Sequence, residues 1–229
     1  MPFLKPHLLL ATGLLLTAPA AQALKLETAA LLLGTSVLGT EAGIAALRDQ
    51  PSWFSQLRAA SAAEGWLLSI ESEGPRGDFA SLRDIRVTTM DLSRAWRLPY
   101  GFEFQLGGGL LSAQGSKGDL FSPEPPQDSD AIALHLGPGL RYNLPEWRGS
   151  RVFIDSSIHL LVSSPEFPAD GTRVNGLIRH GIGLSHDFGR YGRAEAGWHL
   201  GHVSNGSGEN DNNPAWDGQG AWLGWRFGF

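Results

Sequence analysis

A chain of 229 residues with no cysteine has no disulfide framework, no thiolate metal ligand, no Cys nucleophile and no lipidated Cys anchor, so any nucleophile it carries is an oxygen. Its net charge of -5, from 23 acidic and 18 basic side chains without a Lys/Arg-rich run, argues against a nucleic-acid partner. Thirty Gly, eight Trp and eleven Phe, spread through many short alternating segments, fit a transmembrane β-barrel with aromatic girdles better than a soluble core.

At the N-terminus, Lys5 and His7 precede an apolar run from Leu8 to Leu16, followed by Pro19 and the small-residue site Ala21, Gln22, Ala23. This is the pattern of a cleavable secretory signal peptide over residues 1–23, which is set aside from the fold. Beyond it no uninterrupted run reaches the ~18 apolar residues a membrane helix needs. Residues 24–47 come nearest, but Lys25, Glu27 and Glu41 break them. In the N-terminal segment 24–62, Ser52 can cap a short helix with Trp53, Phe54 and Leu57 on one side, suited to the periplasmic interface; strands near 26–38 are the competing reading.

Residues 63–229 read as an all-β, eight-stranded antiparallel transmembrane barrel. The segments fall near 65–72, 82–98, 101–114, 130–143, 151–163, 173–187, 190–204 and 216–229. Strand side chains point alternately to opposite faces, and several segments sort accordingly. Phe102, Phe104, Leu106 and Leu110 oppose Glu103, Gln105 and Gly107, and Val152, Ile154, Ile158 and Leu160 oppose Arg151, Asp155 and His159. The polar set is expected to fill the lumen, where Arg141, Asp155, Arg179, Arg193 and Glu195 can pair. The second segment alternates poorly, because Arg86 and Arg94 share parity with Met90, Leu92 and Trp96.

Connections alternate in length. Tight turns are expected at 99–101, 144–149 and 188–189, and longer polar loops at 73–81, 115–129, 164–172 and 205–215. In such barrels the short turns are periplasmic and the long loops extracellular. The final strand ends in Leu223, Trp225, Phe227 and Phe229 at alternate positions, which resembles the C-terminal signature of bacterial outer-membrane barrels.

The last hairpin carries the chemistry. From residue 192 the even positions Ala194, Ala196, Trp198, Leu200, His202 and Ser204 share the apolar face, opposite Arg193, Glu195 and His199. In the next strand Asp217 shares the apolar face with Ala221, Leu223 and Trp225. Serine becomes a nucleophile when a base takes its proton, and imidazole, with an ordinary pKa of about 6.5, suits that task. Two positions apart on a strand, His202 and Ser204 lie ~6 to 7 Å apart at the backbone, within side-chain reach. Asp217 on the adjacent strand can orient the imidazole, and the N–H groups of Asn205 and Gly206, with the Asn213 side chain, are candidate oxyanion donors.

The H-x-S-N run at 202–205, followed by N-P-x-x-acid at 213–217, resembles the signature of the outer-membrane lipid A 3-O-deacylase family. The acid is Asp217 where that family usually has Glu, and Ala215 stands where it usually has Gly. The resemblance implies an eight-stranded barrel esterase that removes the 3-linked hydroxyacyl chain of lipid A in the outer leaflet, without metal or cofactor. It implies His202 as base, Ser204 as nucleophile, Asp217 as orienting acid, and Asn205, Gly206 and Asn213 in the oxyanion role. Lipid A is the implied partner and the outer membrane the location; a homodimer is compatible with the reading. A non-enzymatic barrel that stabilises the membrane or binds through its loops, and an outer-membrane phospholipase, are the alternatives.

His159 and His199 point inward by parity and read as lumen hydrogen-bonding residues, His186 as a solvated residue by a turn, and His180 has no assigned role. Trp198, Trp222 and Trp225 read as girdle or packing residues. Asp211, Asn212 and Asn213 near Glu209 lack the spacing of an EF-type Ca²⁺ loop.

Overall fold

A computed structural model describes residues 63–77, 83–118, 125–205 and 214–228. The expected signal peptide over 1–23, the 24–62 segment, Gly206, Asn213 and Phe229 lie outside the described residues. The described chain forms strands β1 (Ala63–Pro75), β2 (Arg83–Arg97), β3 (Phe102–Lys117), β4 (Gln127–Asp128), β5 (Ala131–Asn143), β6 (Ser150–Phe167), β7 (Thr172–Asp187), β8 (Arg193–Ser204) and β9 (Trp216–Phe227).

Every long strand pairs antiparallel with its neighbours, and β1 pairs with both β2 and β9, so eight strands close into a barrel with no free edge. The two-residue β4 lies outside this ring, paired to the tip of β3 at Ser116 and Lys117. Closure satisfies the backbone between strands, which is what lets a sheet sit in lipid. No helix among the described residues is long and apolar enough to cross a membrane.

One parity of each strand builds the lipid face. Leu68, Ile70, Met90, Leu92, Leu106, Leu110, Ile132, Leu134, Leu136, Leu160 and Leu223 are all exposed outward, an apolar belt that is costly in water and favourable in hydrocarbon. The poorly alternating β2 joins this scheme. Inward Ile85, Val87, Thr89 and Ala95 are buried, Arg86 faces outward toward the loop end, and Arg94 lays its guanidinium 5.2 Å from the centre of the Trp66 ring.

Outward aromatics gather at the short-turn end. Trp96 packs against Phe104, Phe102 against Tyr142, and Phe188 stacks on Trp225 with centroids 5.8 Å apart. His186, expected to be merely solvated, joins this belt: it meets Phe188 edge-on, and its Nδ1 lies 2.8 Å from Ser150 Oγ. Trp222 instead points inward and stacks on His199.

The lumen divides into a polar lower part and an apolar upper part. In the lower part, Arg226 bonds Glu195 at 2.8 Å and Glu103 at 2.9 Å, while Arg141 bonds the other Glu195 oxygen at 2.6 Å and Asp155 at 3.2 Å. Arg179 stands among Glu71, Glu73 and Asp91, and Arg193 bonds Glu64 and Asp187. Buried charges are tolerable only when paired in this way. Towards the loop end, Ile85, Val87, Leu111, Leu161, Phe167, Leu177, Val203 and Trp216 fill the barrel as an apolar plug, where the alternation had implied a polar interior throughout. The expected 164–172 loop is also shorter than read. Strand β6 continues to Phe167, which buries its ring against Trp216, and β7 resumes at Thr172.

Candidate active site

Strand β8 climbs to the loop end and stops at Ser204, and β9 starts down from Trp216. Val203 and Trp216 face each other across this hairpin, and both are fully buried in the plug. The Trp216 indole N–H donates to the Ile85 carbonyl at 3.2 Å, so its one polar atom is satisfied in the apolar surroundings. Burying positions 203 and 216 inward forces 202, 204 and 217 outward by strand alternation. The hairpin end is also tied to its neighbours. The Arg76 backbone N–H donates to the Asp217 carbonyl at 2.9 Å, and the Arg83 guanidinium donates to the Ala215 carbonyl.

His202 and Asp217 are direct cross-strand partners, and His202 Nδ1 lies 2.9 Å from Asp217 Oδ1. A carboxylate accepts the Nδ1–H, which selects the tautomer with a bare Nε2, the form able to take a proton. Asp217 is about two-fifths exposed at its side chain (39%), whereas the His202 side chain is mostly covered (17%). Ser204 is on the same outward parity two residues on and is buried, and Asn205 follows it, half-buried. The structure therefore joins His202 to Asp217 by a hydrogen bond, and Ser204 shares the outward parity of His202 two residues on. Gly206 and Asn213, the other expected oxyanion donors, fall outside the described residues.

On the other side of β8, Ile178 stands opposite His202 and Gly176 opposite Ser204. His159 and His199 occupy the lumen as expected: His199 bridges Glu71 at 2.7 Å and Asp155 at 3.2 Å, and His159 meets His135, which bonds Asp91 at 2.8 Å. They border a lumen cavity of about 80 Å³ lined by Glu71, Asp91, Arg141, Asp155 and Arg179, separate by parity from the outward His202, Ser204 and Asp217. Among the described residues no group of three His, Asp or Glu side chains is disposed to hold a metal ion.

A closed eight-stranded barrel with an apolar lipid belt, aromatics at its short-turn end and a plugged polar lumen is the architecture of small bacterial outer-membrane proteins. Among solved structures, the chain is similar to the outer-membrane enzyme PagL, at 16% identity and a TM-score of 0.53, over 70% of this chain and 99% of that one. It is also similar to the outer-membrane protein OprG from Pseudomonas aeruginosa (11% identity, TM-score 0.43, 72% and 97% covered). A third likeness is to the outer-membrane protein AlkL (11% identity, TM-score 0.36, 70% and 87% covered). No family model matches the sequence, and no curated protein matches it. At 16% identity the likeness to PagL is one of fold.

Proposed function

We propose that the protein is a serine esterase that removes the 3-linked hydroxyacyl chain of lipid A in the outer leaflet. The observation that carries this reading is the His202–Asp217 hydrogen bond on the lipid-facing side of the last hairpin, with Ser204 next along the same face. Ionisable and hydroxyl side chains are unfavourable on a lipid face unless they are interfacial or act there, and three of them share the outward parity at the end of the last hairpin. The H-x-S-N and N-P-x-x-acid runs supply the substrate class through the resemblance they carry, and one of the structures sharing the fold is described as an enzyme.

In this reading the Ser204 Oγ attacks the ester carbonyl while His202 Nε2 takes its proton, and Asp217 holds the imidazolium that forms. The backbone N–H groups of Asn205 and Gly206 and the Asn213 side chain receive the oxyanion. Collapse of the tetrahedral intermediate breaks the ester bond, and His202 returns the proton to the departing sugar hydroxyl. Water then attacks the acyl-serine with the same base, releasing the free hydroxy fatty acid and restoring Ser204. No metal or cofactor enters these steps. Residues 1–23 direct the chain to secretion, and the long-loop end faces outward, which sets the site at the depth of the ester-linked chains below the head groups.

The test compares lipopolysaccharide from cells with and without the protein by mass spectrometry. Loss of one 3-linked hydroxyacyl chain supports the reading. Cleaved phospholipids with intact lipid A would replace it with a phospholipase, and no change in either would replace it with a non-enzymatic barrel.

A further inference from the structure

The short turns 144–149, before β6, and 188–192, after β7, lie side by side at one end of the barrel, where the Asp187 N–H donates to the Gly149 carbonyl at 2.8 Å. Their two carboxylates are committed, Glu146 to Arg151 and Asp187 to Arg193. Arg148 and Arg190 are exposed, and neither forms an ion pair among the described residues. Each lies instead over an aromatic neighbour, Arg148 4.8 Å from the centre of the Trp147 ring and Arg190 4.8 Å from that of Tyr191. Arg190 also donates to the Tyr191 hydroxyl at 2.6 Å.

Turn chemistry does not call for Arg148. Trp147 and Ser150 exchange backbone hydrogen bonds at 2.8 and 3.0 Å around a two-residue turn in which Arg148 (φ 52°) and Gly149 (φ 78°) are both left-handed. Such a turn favours Asn or Gly at its first central position, so an arginine there strains the backbone without helping the hairpin. A strained residue of this kind directs attention to what its side chain does. The depth of the turns follows from the strands that they join. β6 and β7 pair outward Val152 with Leu184 and Ile154 with Ile182, all exposed, and then Ser150 with His186, which are hydrogen-bonded to each other. Hydrocarbon therefore gives way to polar surroundings at Ser150 and His186. Trp147, Phe188 and Tyr191 stand exposed just beyond, at the head-group level where interfacial aromatics sit. A guanidinium stacked on a ring keeps in-plane N–H donors free for a phosphate.

We propose that these two turns together hold the phosphate of an anionic glycerophospholipid of the inner leaflet, with Arg148 and Arg190 as donors and Trp147 and Tyr191 as the planes that support them. Short turns of such barrels are periplasmic, so the lipid they meet is that of the inner leaflet. A zwitterionic head group brings its own cation to the phosphate, whereas two guanidinium groups without carboxylates favour a head group of net negative charge. The turns lie at the opposite end of the barrel from His202 and Ser204, and the proposal is independent of the esterase reading.

The experiment offers the purified protein, folded in detergent, an equimolar mixture of phosphatidylglycerol and phosphatidylcholine and measures the lipid retained by native mass spectrometry. Wild type is compared with Arg148→Asn, Arg190→Gln, the double variant and Arg173→Gln, an exposed arginine of the long-loop end paired with Glu166. Arg148→Asn suits the left-handed backbone better than arginine does, so it removes the charge while keeping the turn, and heat-modifiable migration checks folding. One basic side chain at an anionic membrane surface contributes about fivefold in affinity. Wild type is therefore expected to favour phosphatidylglycerol by about twentyfold, either single variant by about fivefold, and the double variant not at all. Arg173→Gln keeps the wild-type preference. If the double variant fails to fold, Arg148→Asn alone carries the test. Equal retention of the two lipids by folded wild type overturns the proposal, and so does a preference that persists without both arginines. Displacement of the lipid by an equal concentration of glycerol phosphate would assign the turns to a soluble phosphate and overturn the membrane assignment, whereas undisturbed retention supports it.

Discussion

The contact between Asp217 and His202 makes a quantitative prediction about the orienting acid. Replacing Asp217 by Asn keeps the side-chain volume but exchanges a carboxylate acceptor, 2.9 Å from Nδ1, for an amide that can also present a donor there. A hydrogen bond to a charged partner contributes about 1.5 to 3 kcal/mol, and each ~1.4 kcal/mol is a factor of ten in rate, so the loss is about tenfold to a hundredfold in kcat. The lower half of that range is the more pertinent, because Asp217 is 39% exposed and water can take over part of the orienting role. Asp217→Glu keeps the carboxylate with one more methylene and should retain measurable activity. Initial rates of ester hydrolysis by purified, heat-modifiable barrels in detergent measure both variants. An Asp217→Asn enzyme as fast as wild type would remove Asp217 from the site, and one as inactive as a Ser204 variant would give it a larger role than orientation.

Ser204→Ala and His202→Asn should each lower hydrolysis by about a thousandfold or more while leaving a folded barrel, since nucleophile and base act as a unit; near-wild-type rates in either would dismiss the triad. Arg226→Met should destabilise the barrel, seen as a lower temperature for loss of heat-modifiable migration, because it leaves the buried Glu195 and Glu103 carboxylates to share the single cation Arg141; an unshifted transition would mean that Arg226 is dispensable to the lumen network.

The strands, their facing and the outward placement of His202, Ser204 and Asp217 were legible because lipid outside and charge inside give opposite demands to alternate residues. That signal fades towards the loop end. There Leu110 and Leu111, or Leu161 and Val162, are apolar on both parities, since one faces lipid and the other the plug. The plug was therefore not legible from alternation. The 164–172 stretch read as a loop because Pro165, Pro168, Asp170 and Gly171 are turn formers, but the turn itself is confined to 168–171 and Phe167 anchors the end of β6 inward. β2 was obscure because Arg86 and Arg94 sit on the lipid face, one toward the loop end and the other over Trp66, where a long side chain can reach polar surroundings. The facing of Asp217 towards His202 depends on hairpin register. Parity gave the shared face, and only the paired strands gave the 2.9 Å contact.

Cleavage of a lipid A ester through Ser204 is the step on which the proposed function stands. The most direct measurement incubates the pure protein and its Ser204→Ala variant with lipid A in detergent containing EDTA and reads the products by mass spectrometry. The expected products are lipid A short of one 3-linked hydroxyacyl chain and one equivalent of free hydroxy fatty acid, from the wild type alone. Lipid A of unchanged mass after incubation with the folded wild-type protein, or the same product from both proteins, would contradict it.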